Sequence, residues 1–396
     1  MNISETLRAK IARHQKLATG VAVAGALACI VAAMTNPTVF YRGYLLGFMY
    51  WMNITLGCLG LVMLHNLVGG DWGHASRRFL EAGMRTLPLM ALLFILLIPG
   101  IPYLYEWATE HAAHDHILQQ KAFYLNTQAF LLRAVLYFGF WFLWMWMLHK
   151  RSQEFEKTPN LDIVKKAENI SGPGAVLFFL ITTGASYDWV MSIEPHWYSS
   201  IYGAFFVVCQ GLVTLAFAIV MTKWFSNYEP FDELTVPKRF HDLGKLMHGF
   251  IVLWTYAAFS QFLIIWSANL PEEIPWYLHR IRNGWQVVAL GLMIFHFFVP
   301  FFILLSQKLK RKKNLLVKVA VYMLFMRFVD LYWQIIPAFP NDGEIHSLHL
   351  HLSYLIPVIA IGGAWLAAFF WLLQSRSLLP LPDNSYEAVT GELEHA

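Results

Sequence analysis

The chain has 396 residues, of which 57% are hydrophobic, 16% aromatic and only 14% charged. So few charges exclude a soluble globule of this size, and a net charge of +4 gives no reason to expect a nucleic-acid partner. What remains is work done within or across a bilayer, with lipid as the surrounding partner.

A helix needs about 20 apolar residues to cross about 30 Å of hydrocarbon. Ten such stretches are predicted in chain order: Leu17–Met34, Gly43–Val68, Leu87–Tyr105, Ala129–Leu148, Gly174–Val190, Tyr202–Phe225, Met247–Trp266, Trp285–Leu305, Leu315–Ile336 and Leu352–Leu373. The expected fold is therefore an all-α integral membrane protein, a single polytopic domain over 1–396 with a polar acidic tail over 375–396. The even count allows two four-helix bundles, spans two to five and six to nine, with the first and last helices flanking them. No motif repeats between these halves.

The first stretch follows a basic segment, as a secretion signal would. It is long enough to span, and Ala26 stands where a lipobox at Cys29 would need Leu, so an uncleaved anchor is expected. Cys29, Cys58 and Cys209 all fall inside spans without paired spacing and read as structural thiols.

Orientation follows from Lys and Arg, which collect in short cytoplasmic loops. Twenty-three of the 29 lie at the N-terminus, in alternate loops such as Lys308–Lys318, and in the C-tail. The intervening loops hold only Arg42, Lys121, Arg280 and Arg282. Both termini are expected in the cytoplasm. The opposite loops carry Glu106, Glu110, Asp115, Glu272, Glu273, Asp342 and Glu344 with His111, His114, His116, His346, His349 and His351. These histidines lack a fixed helical spacing, so they read as solvated loop and no metal is expected.

Charges inside spans are costly and seek partners or a polar interior. Four are predicted: Arg133, Asp188, Arg327 and Asp330, at similar depth, suggesting one buried cluster. Arg327 and Asp330 are three apart and share a helical face, so they could also neutralise each other. The functional reading is a quinone headgroup pocket or a proton relay, with Ser260, Gln261 and Gln286 adding hydrogen-bonding groups. Toward the cytoplasm, His65, His248, Tyr256 and His296 are candidates for proton uptake, or simply hydrogen-bonded packing residues. No side chain is expected to act as a catalytic group by itself.

There is no Gly-rich phosphate loop, no Cys-x-x-Cys-His haem attachment sequence and no cysteine set for an iron–sulfur cluster. A chain engaged in electron transfer would then bind quinone or rely on redox centres in partner subunits.

The block from Ser186 to Gly203, with Asp188-Trp189 and Glu194-Pro195-His196-Trp197-Tyr198, resembles the membrane subunits of alternative complex III, the quinol:cytochrome c oxidoreductases. The similarity continues in His241-Asp242-Leu243-Gly244-Lys245, Ser260–Trp266, Asn269–Tyr277 and Arg327–Trp333 with Pro337-Ala338-Phe339. Length and span number are more similar to the ActF-type (quinone-binding subunit 2) than to the longer ActC-type; both resemble NrfD/PsrC-like membrane anchors. The resemblance implies a multi-pass subunit in the bacterial inner (cytoplasmic) membrane. It implies an ActC-type membrane partner, a periplasmic iron–sulfur subunit, multihaem c-type cytochrome subunits and small membrane subunits. It also implies quinol oxidation and proton translocation, with haem c and iron–sulfur clusters in the partners and no covalently bound cofactor here. In this family the quinol site is attributed to the ActC-type partner, so the implication for a pocket in this chain stays open.

Trp189, Trp197 and Tyr198 are expected to anchor an outer loop at headgroup level, with Pro195 stopping the fifth span. Two alternatives compete with the electron-transfer reading: a secondary transporter with a buried charged substrate site, and a passive membrane scaffold. Transporters tend to break helices at mid-membrane, whereas most prolines here lie near span ends.

Overall fold

Asparagines and prolines punctuate the chain at helix starts. Asn36 Oδ1 accepts from Val39 N at 3.1 Å, where Pro37 begins the second helix without needing its missing N–H. Asn126 and Asn160 cap two further helices through Ala129 N and Asp162 N. The computed structural model describes residues 5–228, 231, 235–340, 346–349 and 351–375. The acidic tail beyond Ser375, and Asp342 and Glu344, lie outside the described residues.

Among the described residues the regular elements are all helical. They are α1 (Glu5–Thr35), α2 (Pro37–Val68), α3 (Asp71–Met84), α4 (Leu87–Ile95), α5 (Ile101–Leu104), α6 (His116–Lys121), α7 (Thr127–Lys157), α8 (Leu161–Trp189), α9 (Tyr202–Phe225) and α10 (Pro237–Ala268). There follow α11 (Ile274–Ile281), α12 (Trp285–Leu305), α13 (Gln307–Arg311), α14 (Lys313–Ile335) and α15 (Leu355–Gln374).

Among the described residues, eight helices are long and apolar enough to cross a membrane, nine if the pair Ser76–Ile95 and Ile98–Leu104, bent by 44°, is one span. The chain is a multi-pass membrane protein. The predicted ninth span falls on α14, whose 23 residues carry Lys313, Lys318, Arg327 and Asp330 and so exceed the charge that purely apolar helices carry. It still runs the length of the bundle. Near its start Lys310 lies beside Lys245, and near its finish the Gln334 carbonyl receives Arg280.

Cross-links between loops define two ends. Lys10 reaches Tyr228, Lys238 reaches Asp71 and Arg85 reaches Ser375 at the basic end. His196 meets Asp115 and His279 meets Glu194 at the His-rich end.

Helix α2 packs on α3, α4 and α8, and α7 closes that group against α4 and α8. A second group forms from α9 with α10 and α14, with α12 packing on α10 and α14. The seam between them is α2 against α9. A Cβ on Gly57 would stand 2.1 Å from Thr214 Oγ1 and 2.4 Å from the Gln210 carbonyl, so only glycine admits this approach. Helix α1 lies along α15 on a similar small-residue contact, where a Cβ on Gly25 would meet Ala360 at 2.7 Å.

Candidate functional site

In the second helix group, between α10, α11, α12 and α14, lies a cavity of ≈400 Å³ with predominantly apolar walls. Phe205, Ala258, Phe262 and Leu292 contribute to those walls, and Phe259, Leu290 and Met293 at the rim are exposed on the apolar outside of the bundle. The mouth therefore opens sideways toward lipid. Polar groups converge at the closed side: Asp330, Gln334, Gln261 and Tyr277. Gln334 Nε2 donates to Asp330 Oδ2 at 2.6 Å, while Gln261 accepts from Ser199 Oγ at 3.3 Å and donates to Tyr277 Oη at 3.4 Å.

Asp330 is also paired with Arg327 one turn earlier on α14, both fully buried. A helical i, i+3 spacing places the two heads together, as the sequence indicated. Asp330 Oδ1, Gln334 Oε1 and Arg327 Nε have no hydrogen-bond partner among the described residues. Buried polar atoms of that kind ordinarily bond to water or ligand.

Arg133 and Asp188 form a second pair, not part of one four-membered cluster. Arg133 Nε and Nη2 donate to Asp188 Oδ2 and Oδ1 at 2.8 and 3.0 Å, and Tyr137 Oη adds a bond at 2.7 Å. Arg133 also stacks over Tyr124, 3.7 Å from the ring centroid. This pair bridges α7 and α8 in the first group, whereas Arg327 and Asp330 belong to α14 in the second. Asp188 has no exposed surface and both its oxygens are taken, which is the geometry of a helix clamp.

The motif around Asp188 packs inward rather than anchoring at headgroups. Trp189 and Trp197 are buried, Trp189 among Phe48, Phe94, Phe138 and Trp141; only Tyr198 is exposed. Helix α8 ends at Trp189, well before Pro195. Its last carbonyls are taken by side chains, Asp188 O by Ser192 Oγ and Trp189 O by Tyr105 Oη.

The other candidates separate. Gln286 is exposed and caps its own turn by accepting from Gly284 N at 2.8 Å, and Ser260 is half-buried without lining the cavity. Tyr256 is 68% exposed on the outside of α10, so it does not continue a path from His248. His248 packs against Phe301 toward the basic end. His65 lines a separate polar cavity of ≈360 Å³ at the basic end of the first group. Arg77 donates to its Nδ1 at 3.1 Å, so that nitrogen carries no proton and Nε2–H donates to the Gly70 carbonyl at 3.2 Å. His65 is thereby held as a neutral structural residue. His296 lies in the second group, against Trp254, with ring centroids 4.0 Å apart.

Sequence reasoning missed what lies behind Trp276 and Gln334, two residues of the cavity lining. Arg280, almost wholly buried, stacks on Trp276 at 3.8 Å, donates to the Gln334 carbonyl at 2.7 Å and pairs with Glu194 at 2.6 Å. Its rarity was the available signal: one of four cations in the sparsely charged loops. Burial pushes the Glu194 carboxyl up, but Arg280 and His279 more than offset it and hold it below the usual carboxylate range. Beyond Trp276 a basin of ≈600 Å³ opens at the His-rich end. There His279 stacks flat on His346 at 3.7 Å, and burial pushes His346 below the ordinary histidine value. Among the described residues no three His, Cys, Asp or Glu come together as metal ligands.

The sequence model of one family, polysulphide reductase, NrfD, matches residues 121–339. That interval covers more than half of the chain, including both ion pairs and the whole lateral cavity. No curated protein matches the chain.

Proposed function

The chain belongs to the polysulphide reductase, NrfD, family, and from that premise we propose that it is a membrane subunit of a quinol-oxidising complex that passes electrons to cytochrome c. The observation that carries this reading is the lateral cavity. Its ≈400 Å³ lies in the range of small-molecule sites, its mouth faces lipid, and its polar groups are confined to the closed side. A quinol has that same division, an apolar tail and ring with two hydroxyl groups. It reaches such a site from the bilayer without crossing water.

The residues fit the headgroup. Asp330 Oδ1 and Gln334 Oε1 have acceptor capacity to spare, and Tyr277 and Gln261 line the same cavity. Asp330 would receive a hydroxyl, Arg327 would remain paired with that carboxyl group, and Trp254 and Phe262 would flank the ring. Bound quinol supplies two electrons and two protons. The electrons leave to iron–sulfur and haem c centres in partner subunits, because this chain contributes no haem-attachment sequence or cysteine cluster.

The same reading puts the basic end in the cytoplasm of a bacterium and the His-rich basin in the periplasm, with ten crossings arranged as two four-helix units plus α1 and α15. The assembly would be of the alternative complex III type, with an ActC-type membrane partner, a periplasmic iron–sulfur subunit, multihaem c-type subunits and small membrane subunits. Translocation of protons would accompany turnover.

Purification of the tagged chain from its native membranes in mild detergent tests the proposal. Copurification of haem c and iron–sulfur subunits, with quinol-dependent reduction of cytochrome c, is the expected result. Recovery as a homo-oligomer without redox partners would overturn it.

A further inference from the structure

Helix α12 departs from α-helical winding over Leu292–Phe298, a π segment. Such segments insert an extra residue into a turn and recur at functional sites. Here the widened turn carries His296, which has no exposed surface and packs against Trp254 with ring centroids 4.0 Å apart. Both its ring nitrogens are buried without a partner among the described residues, and Trp254 Nε1 is buried with the Asp330 carboxylate as its neighbour.

An imidazole always presents at least one N–H, and leaving such a donor buried and unbonded carries its full desolvation penalty. The same holds for the adjoining polar atoms Arg327 Nε and Asp330 Oδ1. These groups are mutual neighbours: Arg327 is within electrostatic reach of His296, and Trp254 lies at the Asp330 carboxylate. Buried donors and acceptors left without a full set of partners, here His296 on α12 and Arg327 Nε with Asp330 Oδ1 on α14, are the setting that buried water satisfies, with two to four bonds per molecule. The other titratable groups facing this space include Cys209 from α9 and Tyr50 from α2, both beside Arg327, and Tyr202 from α9, within reach of Asp330.

We propose that buried water joins His296 to Asp330 behind the Trp254 wall, and that these two groups accept the two protons released when a quinol in the lateral cavity is oxidised. The inference rests on the quinol reading and deepens it. Two O–H bonds of the quinol break. One proton forms an O–H bond on Asp330 Oδ1, which lines the cavity; the other passes through water to form an N–H bond on His296. The two electrons go to an iron–sulfur or haem centre of a partner subunit, leaving quinone. Asp330 touches the substrate, and His296 is a positioning residue that acts through water. One carboxylate alone holds one proton, so the second acceptor is what permits both to leave together.

The test uses the purified complex, menadiol as donor and menadione as binding probe. His296→Asn keeps a donor and an acceptor at similar volume but cannot take up a proton. It is expected to leave menadione binding within about twofold, lower kcat at least tenfold, and flatten the dependence of kcat on pH. Unchanged kcat and an unchanged pH profile would overturn the proposal. Ala258→Trp, which fills the cavity, separates the two readings. If Ala258→Trp abolishes menadione binding while His296→Asn is without effect, only the acceptor role fails; if Ala258→Trp binds menadione normally, the cavity reading itself fails. Should His296→Asn not assemble, a high-resolution map of the unaltered complex decides. Ordered water between His296 and the Arg327–Asp330 pair is expected, and dry, closed packing there would overturn it.

Discussion

Gly57→Val is expected to abolish recovery of the folded protein. The two helix groups meet where α2 crosses α9, and a Cβ at this position would stand 2.4 Å from the Gln210 carbonyl, a backbone atom that cannot rotate away. Thr214 Oγ1 is closer still, at 2.1 Å, and already donates to the Ile54 carbonyl. Helices in lipid associate through close packing rather than hydrophobic exclusion of water, so spreading this contact removes its basis. Overpacking costs about 3 kcal/mol where the neighbour is rigid backbone. Gly139→Ala is the control, since a Cβ there meets nothing within 4 Å. Detergent-solubilised yield and thermal unfolding of both variants measure the difference; Gly57→Val folding as well as Gly139→Ala would show that the seam is misplaced.

Asp188→Asn comes next in size. The carboxylate takes two bonds from Arg133 and one from Tyr137 and has no exposed surface. Neutralising it leaves the Arg133 guanidinium without its counter-charge between α7 and α8. Breaking one side of a buried pair costs about 3–5 kcal/mol, far more than the pair contributes relative to apolar replacements. A clear loss of assembled protein is therefore expected. Arg133→Met combined with Asp188→Leu is expected to recover much of it, because neither charge remains buried alone. Thermal unfolding of the single and double variants checks this; additive losses would mean that the two residues do not act as a pair.

Several features were legible because they depend only on local sequence. Runs of apolar residues marked the eight helices that, among the described residues, are long and apolar enough to cross a membrane, and α14 was found as a helix despite its four charges. The Arg327–Asp330 pair followed from helical spacing. What required tertiary structure was which helices are neighbours: the similar depth expected of Arg133, Asp188, Arg327 and Asp330 does not say that the first two bridge α7 and α8 while the others stay on α14. Tyr256 shares a helix with His248 but not its face. At about 100° per residue, eight residues from His248 leave it about 80° away around the helix, enough to turn it outward. Trp254 and Tyr277 read as ordinary packing aromatics, since nothing in sequence distinguishes a cavity wall from a core. Glu194 and Arg280 are 86 positions apart in sequence and meet only when α11 folds over the motif that follows α8.

The central claim is that quinol enters the lateral cavity of the second helix group, and photolabelling with an azidoquinone tests it most directly. After illumination of the complex and peptide mapping, adducts are predicted on the cavity segments of α10, α11, α12 and α14, within residues 254–262, 276–293 and 330–334, and competed away by unlabelled quinone. Labelling confined to the first helix group or to another subunit, with these segments clean, would contradict the account.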